Sequence, residues 1–211
     1  MNIGVIGSGI VGQVLAKGFR EAGHNVMIGT RDAAKLKAYS VESGVAVGTF
    51  TETALHGEAI IFAVLGTAVA EVIKGSGPAN FKGKLVLDTT NPLDFSKGFP
   101  PSLFVGHTDS LAEQIQRALP EAFVVKAFNT MSNTRMIKPK FADGTPTHLI
   151  AGNDAAAKKR AGELLEEVGW KDVVDLGPLA ASRELESLCL AWCRIYGATG
   201  SGEHAFALLR N

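Results

Sequence analysis

The sequence predicts a doubly wound α/β fold: a mainly parallel sheet covered by helices on both faces, with a short C-terminal α/β extension. Two observations carry this. Short apolar runs alternate with longer segments of helical period, joined by short connections. A glycine-rich turn, Gly7-Ser8-Gly9-Ile10-Val11-Gly12, stands directly between the first apolar run and the first helical segment.

The first strand is expected over residues 3–6. The helix after it covers 10–22, with Val11, Val14, Leu15 and Phe19 on one side and Gly23 as its stop. A second strand follows over 26–29, then a helix capped by Asp32 that runs to about 43 and closes at Gly44. A short strand at 45–47 and a short helix at 51–56 lead to a fourth strand over 59–65, whose near-continuous apolarity means burial on both faces. A helix over 68–74, a strand over 84–88 and a Pro/Gly-rich loop over 91–106 come next, then a helix over 110–119 and a strand over 123–127. The C-terminal part reads strand 147–152, helix 154–168, strand 172–175 and a long helix over 181–196, before a glycine-rich and then apolar tail. The polar, basic stretch 132–146, holding Pro139 and Pro146, is the natural boundary. The expected division is a nucleotide-binding part over 1–141 and an extension over 142–211 packed against it.

Composition narrows the function classes. The 211 residues hold 21 Lys+Arg and 21 Asp+Glu, a formal charge of zero, which argues against a general nucleic-acid or anionic-membrane binder. With 46% hydrophobic and 20% charged residues the chain is an ordinary globular one. The 24 glycines are a surplus that backbone geometry must explain. The N-terminus reads as a strand rather than a leader, and no apolar run is long enough to span a bilayer, so a cytoplasmic protein is expected. The five histidines are scattered without metal spacing, and Cys189 and Cys193 fall on one face of a helix as packing residues, so no metal site is expected.

The glycine turn has the context that a dinucleotide fingerprint requires. Gly7 allows the tight turn, Gly9 lets backbone approach a pyrophosphate, and Gly12 lets the helix pack close to the sheet. The backbone at Ser8, Ile10 and Val11 completes a helix N-terminus facing the phosphates. The tip of strand two separates the two nicotinamide coenzymes. NAD enzymes place an acid there to bind the ribose, whereas this chain reads Gly29-Thr30-Arg31-Asp32. Arg31 can stack on an adenine and pair with a 2′-phosphate, Thr30 can donate a hydroxyl, and Lys35 can reach the same phosphate. NADP(H) is therefore the expected coenzyme; the alternative has Asp32 as the ribose acid.

Taken together, the fingerprint, Gly29-Thr30-Arg31, Leu87-Asp88-Thr89-Thr90-Asn91-Pro92-Leu93, Val125-Lys126-Ala127-Phe128-Asn129-Thr130, Gly177-Pro178-Leu179, the helix carrying Glu186 and Trp192, and the tail from Gly200 resemble the coenzyme F420-dependent NADP oxidoreductase family over nearly the whole length. The resemblance implies a Rossmann domain with a short α/β extension. It also implies NADP at the strand ends, with a flat deazaflavin stacked on the nicotinamide. A related domain in the transmembrane ferric reductases passes electrons from NADPH to flavin, so FMN or FAD is the second acceptor class. One departure stands out: the loop after strand four, where the family carries a proline, reads Val64-Leu65-Gly66-Thr67, which points to a looser loop.

Hydride transfer between planar rings needs orientation more than acid–base groups, and no catalytic triad is visible. The positioning groups expected at the strand ends are Ala63, Val64 and Leu65 beneath the nicotinamide, Asn91 and Pro92 after the fifth strand, and Asn129 and Thr130 after the next. Arg135, Lys138 and Lys140 are candidates to attract an anionic acceptor tail. The apolar C-terminal helix and tail can cover the acceptor cleft or form a homodimer interface. Two other classes remain open: an NADPH sensor without turnover, and a small-molecule NADP-dependent reductase. The second builds its substrate site from a large helical domain, for which too few residues follow Ala142.

Overall fold

The computed structural model describes residues 1–210. The first βαβ unit is β1 (Asn2–Ile6), α1 (Ile10–Glu21) and β2 (Asn25–Gly29); α2 (Lys37–Ser43) and β3 (Ala46–Gly48) follow. The chain then crosses through α3 (Phe50–His56) to β4 (Ala59–Phe62), α4 (Val69–Ser76) and β5 (Leu85–Asp88). A small hairpin of β6 (Leu93–Asp94) and β7 (Ser102–Leu103) precedes α5 (Leu111–Ala118) and β8 (Phe123–Lys126). The C-terminal part is β9 (Thr147–Gly152), α6 (Ala155–Glu167), β10 (Asp172–Asp175) and α7 (Ser182–Thr199).

Eight strands make one sheet in the order β10-β9-β8-β5-β4-β1-β2-β3. Every neighbouring pair is parallel except β8 and β9. The chain winds outward from β1 through β2 to β3, then returns to start again at β4, so the order reverses between β1 and β4. In an open α/β sheet this is where a crevice opens beyond the carboxyl ends of the strands. The outcome is the Rossmann-type doubly wound fold.

The apolar runs lack an amphipathic rhythm because both faces of the sheet are covered. Within β4, Ala59 and Ile61 pack on one side with Leu15, Phe19, Leu164 and Trp170. Ile60 and Phe62 pack on the other with Val72, Phe81, Leu111 and Ile115. Polar caps start several of the flanking helices: Thr49 and Glu52 form a capping box on α3, Ser110 accepts from Glu113 N on α5, and Asp154 accepts from Ala157 N on α6.

The structure corrects three expected elements. The helix expected after Asp32 is two pieces. The Asp32 carboxylate takes the Ala34 amide at 3.1 Å, which tightens the first turn into a 3-10 helix over Ala33–Leu36, and α2 begins only at Lys37. The fourth strand ends at Phe62, so Ala63, Val64 and Leu65 belong to the loop, where their apolar character serves loop packing rather than the ladder. The loop over 91–106 contains the β6–β7 hairpin, in which Leu93 pairs with Leu103.

Candidate functional site

The glycine turn closes the crevice beyond β1. Gly7 has φ of 128°, and a Cβ there would fall 2.1 Å from the Ala63 carbonyl oxygen. At Gly12 a Cβ would fall 1.8 Å from the Gly7 carbonyl, so α1 packs against the turn at a distance only glycine permits. Gly9 differs from both. It has ordinary extended geometry, φ −70° and ψ 177°, and a Cβ there would meet nothing within 4 Å. It is also the N-cap of α1 and offers no side-chain cap, so the first amides of the helix face open space. Uncapped amides, the positive end of a helix and an open approach fit a dinucleotide pyrophosphate. Ser8 and Thr30 join the two strand tips, Thr30 Oγ1 donating to Ser8 Oγ at 3.1 Å, while Ile10 and Val11 begin the helix with Ile10 exposed.

At the tip of β2, Asp32 is engaged as the cap of its turn and lies 3.8 Å from Lys35 Nζ. The Arg31 side chain is exposed and has no hydrogen bond or ion pair among the described residues. Arg31 is thus an exposed cation without a partner among the described residues at the tip of β2, beside an acid that caps its own turn.

The loops after β4 and β5 meet. A Cβ at Gly66 would fall 2.2 Å from the Asn91 carbonyl, so any side chain there, proline included, would push the two loops apart. The loop is thus held close rather than loosened by its missing proline. Pro92 is buried behind it, Val64 is half-buried and Leu65 is 76% exposed.

Asn91 and Asn129 bind each other. Asn91 Nδ2 donates to the Asn129 carbonyl at 2.9 Å, and Asn129 Nδ2 donates to Asn91 Oδ1 at 3.0 Å and to the Leu185 carbonyl at 2.9 Å. Both amide hydrogens of Asn129 are therefore used. Asn129 Oδ1 and one N–H of Asn91 have no partner among the described residues, which leaves one acceptor and one donor on the pair. Thr130 is buried next to the pair.

A backbone kink aims Asn129. Phe128, two residues past the end of β8, has φ of 59°, a left-handed conformation uncommon for a bulky side chain. Its amide donates to His148 Nε2 at 2.9 Å, which places the imidazole proton on Nδ1. The Phe128 ring meets His148 edge-on at 4.8 Å, and His148 meets Trp170 edge-on at 4.4 Å. His148 is fully buried, and burial pushes its pKa down to about 3. The unfolded chain accepts this proton near pH 6.5, the folded one only near 3. Above pH 6.5 His148 leaves stability unchanged; below it, stability is expected to fall by up to about 1.4 kcal/mol per pH unit until pH 3. Urea midpoints between pH 7.5 and 5 measure the slope. His148→Gln, which keeps an acceptor but does not titrate, should flatten it, and an equal slope in both proteins would place the acid sensitivity elsewhere.

Beneath the asparagines lies an ionic cluster that the sequence reading missed. Lys126, Asp88 and Glu186 are all fully buried. Lys126 Nζ donates to Asp88 Oδ2 at 2.8 Å, to Glu186 Oε1 at 2.7 Å and to the Thr90 carbonyl at 2.6 Å, using its three hydrogens. Glu186 also accepts from Leu111 N at 2.9 Å and Ala112 N at 3.1 Å, the first amides of α5. One cation faces two carboxylates, and the helix N-terminus offsets the second negative charge. Burial pulls the Lys126 pKa down, but the two carboxylates outweigh it and hold the pKa above the ordinary lysine value. Burial raises that of Glu186 despite Lys126. The missed signal was a lone lysine inside the apolar run 123–127, which a covered strand can hold only with a counter-ion.

Residues 2–92 match the family described as NADP oxidoreductase, coenzyme F420-dependent. The F420-dependent NADP reductase of Methanothermobacter marburgensis is 30% identical, covering 89% of this chain and 89% of its own. A protein of Arthrobacter sp. FB24, provisionally described as an F420-dependent NADP-reductase, has a solved structure that is 40% identical with a TM-score of 0.95 over 100% of both chains. The chain belongs to the coenzyme F420-dependent NADP oxidoreductase family. It is also similar to the metalloreductase STEAP3 of Rattus norvegicus, at 29% identity over 89% of this chain, which spans 36% of that relative's length. This is a family of NADP(H)-binding oxidoreductases. Among the described residues no helix is long and apolar enough to cross a membrane, and no group of His, Cys, Asp and Glu could hold a metal ion.

The cation set expected on the loop after β8 is split, with Arg135 and Lys140 on one cleft and Lys138 away from it. Arg135 pairs with Glu203, donates to the Lys140 carbonyl at 3.1 Å and lies 5.2 Å over the Phe141 ring. Arg135 and Lys140 line a cleft of about 430 Å³ under the C-terminal tail, with Asp143 and Glu203 balancing their charge. Lys138 is elsewhere, its backbone bonded to Val168 and packed at Gly169. The tail lies on its own chain: Thr147 N donates to the Phe206 carbonyl at 2.9 Å, and Trp192 stacks on His204 at 4.7 Å.

Proposed function

We propose that the protein is an NADP(H)-dependent oxidoreductase that moves a hydride between the nicotinamide C4 and a flat redox coenzyme, deazaflavin F420 first and FMN or FAD second. NADPH supplies the hydride when bound. The chain's residues do the rest. The α1 amides and the open approach at Gly9 hold the pyrophosphate, Arg31 and Thr30 select the 2′-phosphate with Lys35 nearby, and Ala63, Val64 and Leu65 line the nicotinamide side of the crevice. The observation that carries the reading is the Asn91–Asn129 pair. Its unused N–H and Oδ1 are the complement of a carboxamide, which presents one acceptor and one donor. Pro92 and Thr130 keep water from that edge, and a dry, oriented contact is what hydride transfer requires.

The test is NADPH oxidation with F420, FMN, FAD and a quinone offered side by side. Turnover with F420 or a flavin supports the reading, and turnover with none moves it to an NADPH sensor. The coenzyme half is tested separately. Arg31→Ala is expected to cut the preference for NADPH over NADH by about 10- to 100-fold, the loss of one charge-assisted phosphate contact. Equal affinity for both coenzymes in the wild type would overturn the NADP assignment. The apolar end, with Leu209 98% exposed, is where a second copy would pack in a homodimer, and light scattering reads this directly.

A further inference from the structure

The buried ionic cluster reaches each asparagine of the pair through one intervening residue. Lys126 Nζ holds the Thr90 carbonyl at 2.6 Å, and Thr90 precedes Asn91. Asp88 Oδ1 takes the Thr90 amide at 2.9 Å and its hydroxyl at 2.6 Å. Glu186 follows Leu185, whose carbonyl receives the Asn129 amide at 2.9 Å. The same Glu186 carboxylate is bonded to the start of α5 through Leu111 N and Ala112 N. One side chain on α7 thus fixes the seat of both asparagines and ties it to two helices.

We propose that Glu186 is a positioning residue for the Asn91–Asn129 pair, so that the seating of α7 sets the geometry of the hydride-transfer edge. This rests on the reading that the pair faces the nicotinamide. All three hydrogen bonds to the Glu186 carboxylate come from donors: Lys126 and Ala112 N reach Oε1, and Leu111 N reaches Oε2. An amide in its place must turn its own N–H₂ toward one of them. Whichever way it turns, donor faces donor, and α7 has to shift, carrying Leu185 with it. Hydride transfer tolerates little displacement, since a shift of about 1 Å can cost about 100-fold in rate.

Glu186→Gln is therefore expected to lower the hydride-transfer rate about 10- to 100-fold while the NADPH dissociation constant stays within about threefold, because the Gly9 and Arg31 contacts lie across the crevice. In a cycle with Asn129→Ala, the double variant should be no slower than Asn129→Ala alone; losses that multiply would overturn the proposal. A second readout needs no coenzyme. In the free protein the Asn129 side-chain amide protons, both hydrogen-bonded, should be protected from exchange in nitrogen-15 NMR and should exchange at least about tenfold faster in Glu186→Gln. Unchanged exchange would overturn the proposal. Should Glu186→Gln fail to fold, Glu186→Asp, which keeps every acceptor on a shorter arm, is read the same way. If the wild type oxidises NADPH with no acceptor while the exchange still responds, the proposed activity fails and the positioning link stands.

Discussion

Replacing Lys126 with methionine is expected to cost about 3–5 kcal/mol of folding stability, because it leaves two carboxylates buried with no cation. A domain of this kind is stable by only about 5–15 kcal/mol, so the variant should melt far earlier or accumulate unfolded. Asp88 keeps its two bonds from Thr90, and Glu186 keeps the two α5 amides. Neither set replaces the charge of Lys126. The sharper form of the prediction is a reversal. Adding Glu186→Gln to Lys126→Met removes one of the stranded charges and should recover part of the loss. Urea midpoints for the wild type and the two variants measure it. A double variant less stable than Lys126→Met would mean that the cluster is held by packing and not by charge.

The second large effect separates binding from folding within one turn of chain. Gly9→Val is expected to fold normally, since the backbone there is extended and a Cβ meets nothing within 4 Å. Its side chain, however, fills the approach to the α1 amides, and NADPH affinity should drop at least about 100-fold. Gly12→Val should do the opposite. Its Cβ would stand 1.8 Å from the Gly7 carbonyl, so α1 must move off the sheet at a cost of about 3 kcal/mol or more. Melting curves and coenzyme titration on the two variants give the contrast. A Gly9→Val protein that binds NADPH as the wild type does would remove the phosphate turn from the site.

Local pattern made the order of the sheet elements and the glycine turn legible, because each βα unit announces itself over a dozen or so residues. The β6–β7 hairpin left no such trace, having strands of two residues, too short for any period. The kink at Phe128 was equally silent, since nothing in Ala127-Phe128-Asn129 marks a left-handed backbone that His148, 20 positions away, holds in place. The ionic cluster shows the limit most clearly. A lysine amid Val125 and Ala127 says that a counter-ion exists, but the acids that supply it lie 38 and 60 positions away, among 21 in the chain. Asn91 and Asn129 could each be read as facing the coenzyme, yet their bonds to one another belong to the tertiary structure alone.

Under the proposed function, the antiparallel junction between β8 and β9 divides the molecule into a reacting rim and a quiet rim. Because β9 and β10 run against the other strands, the turns that follow them, at Asn153 and at Leu176-Gly177, open at the end of the sheet opposite the coenzyme crevice. The C-terminal part can therefore influence the reaction through α7, the tail and the 132–146 segment, and through no strand-end loop of its own. A tag or a whole reporter domain spliced at Asn153 would project from the end of the sheet opposite the glycine turn.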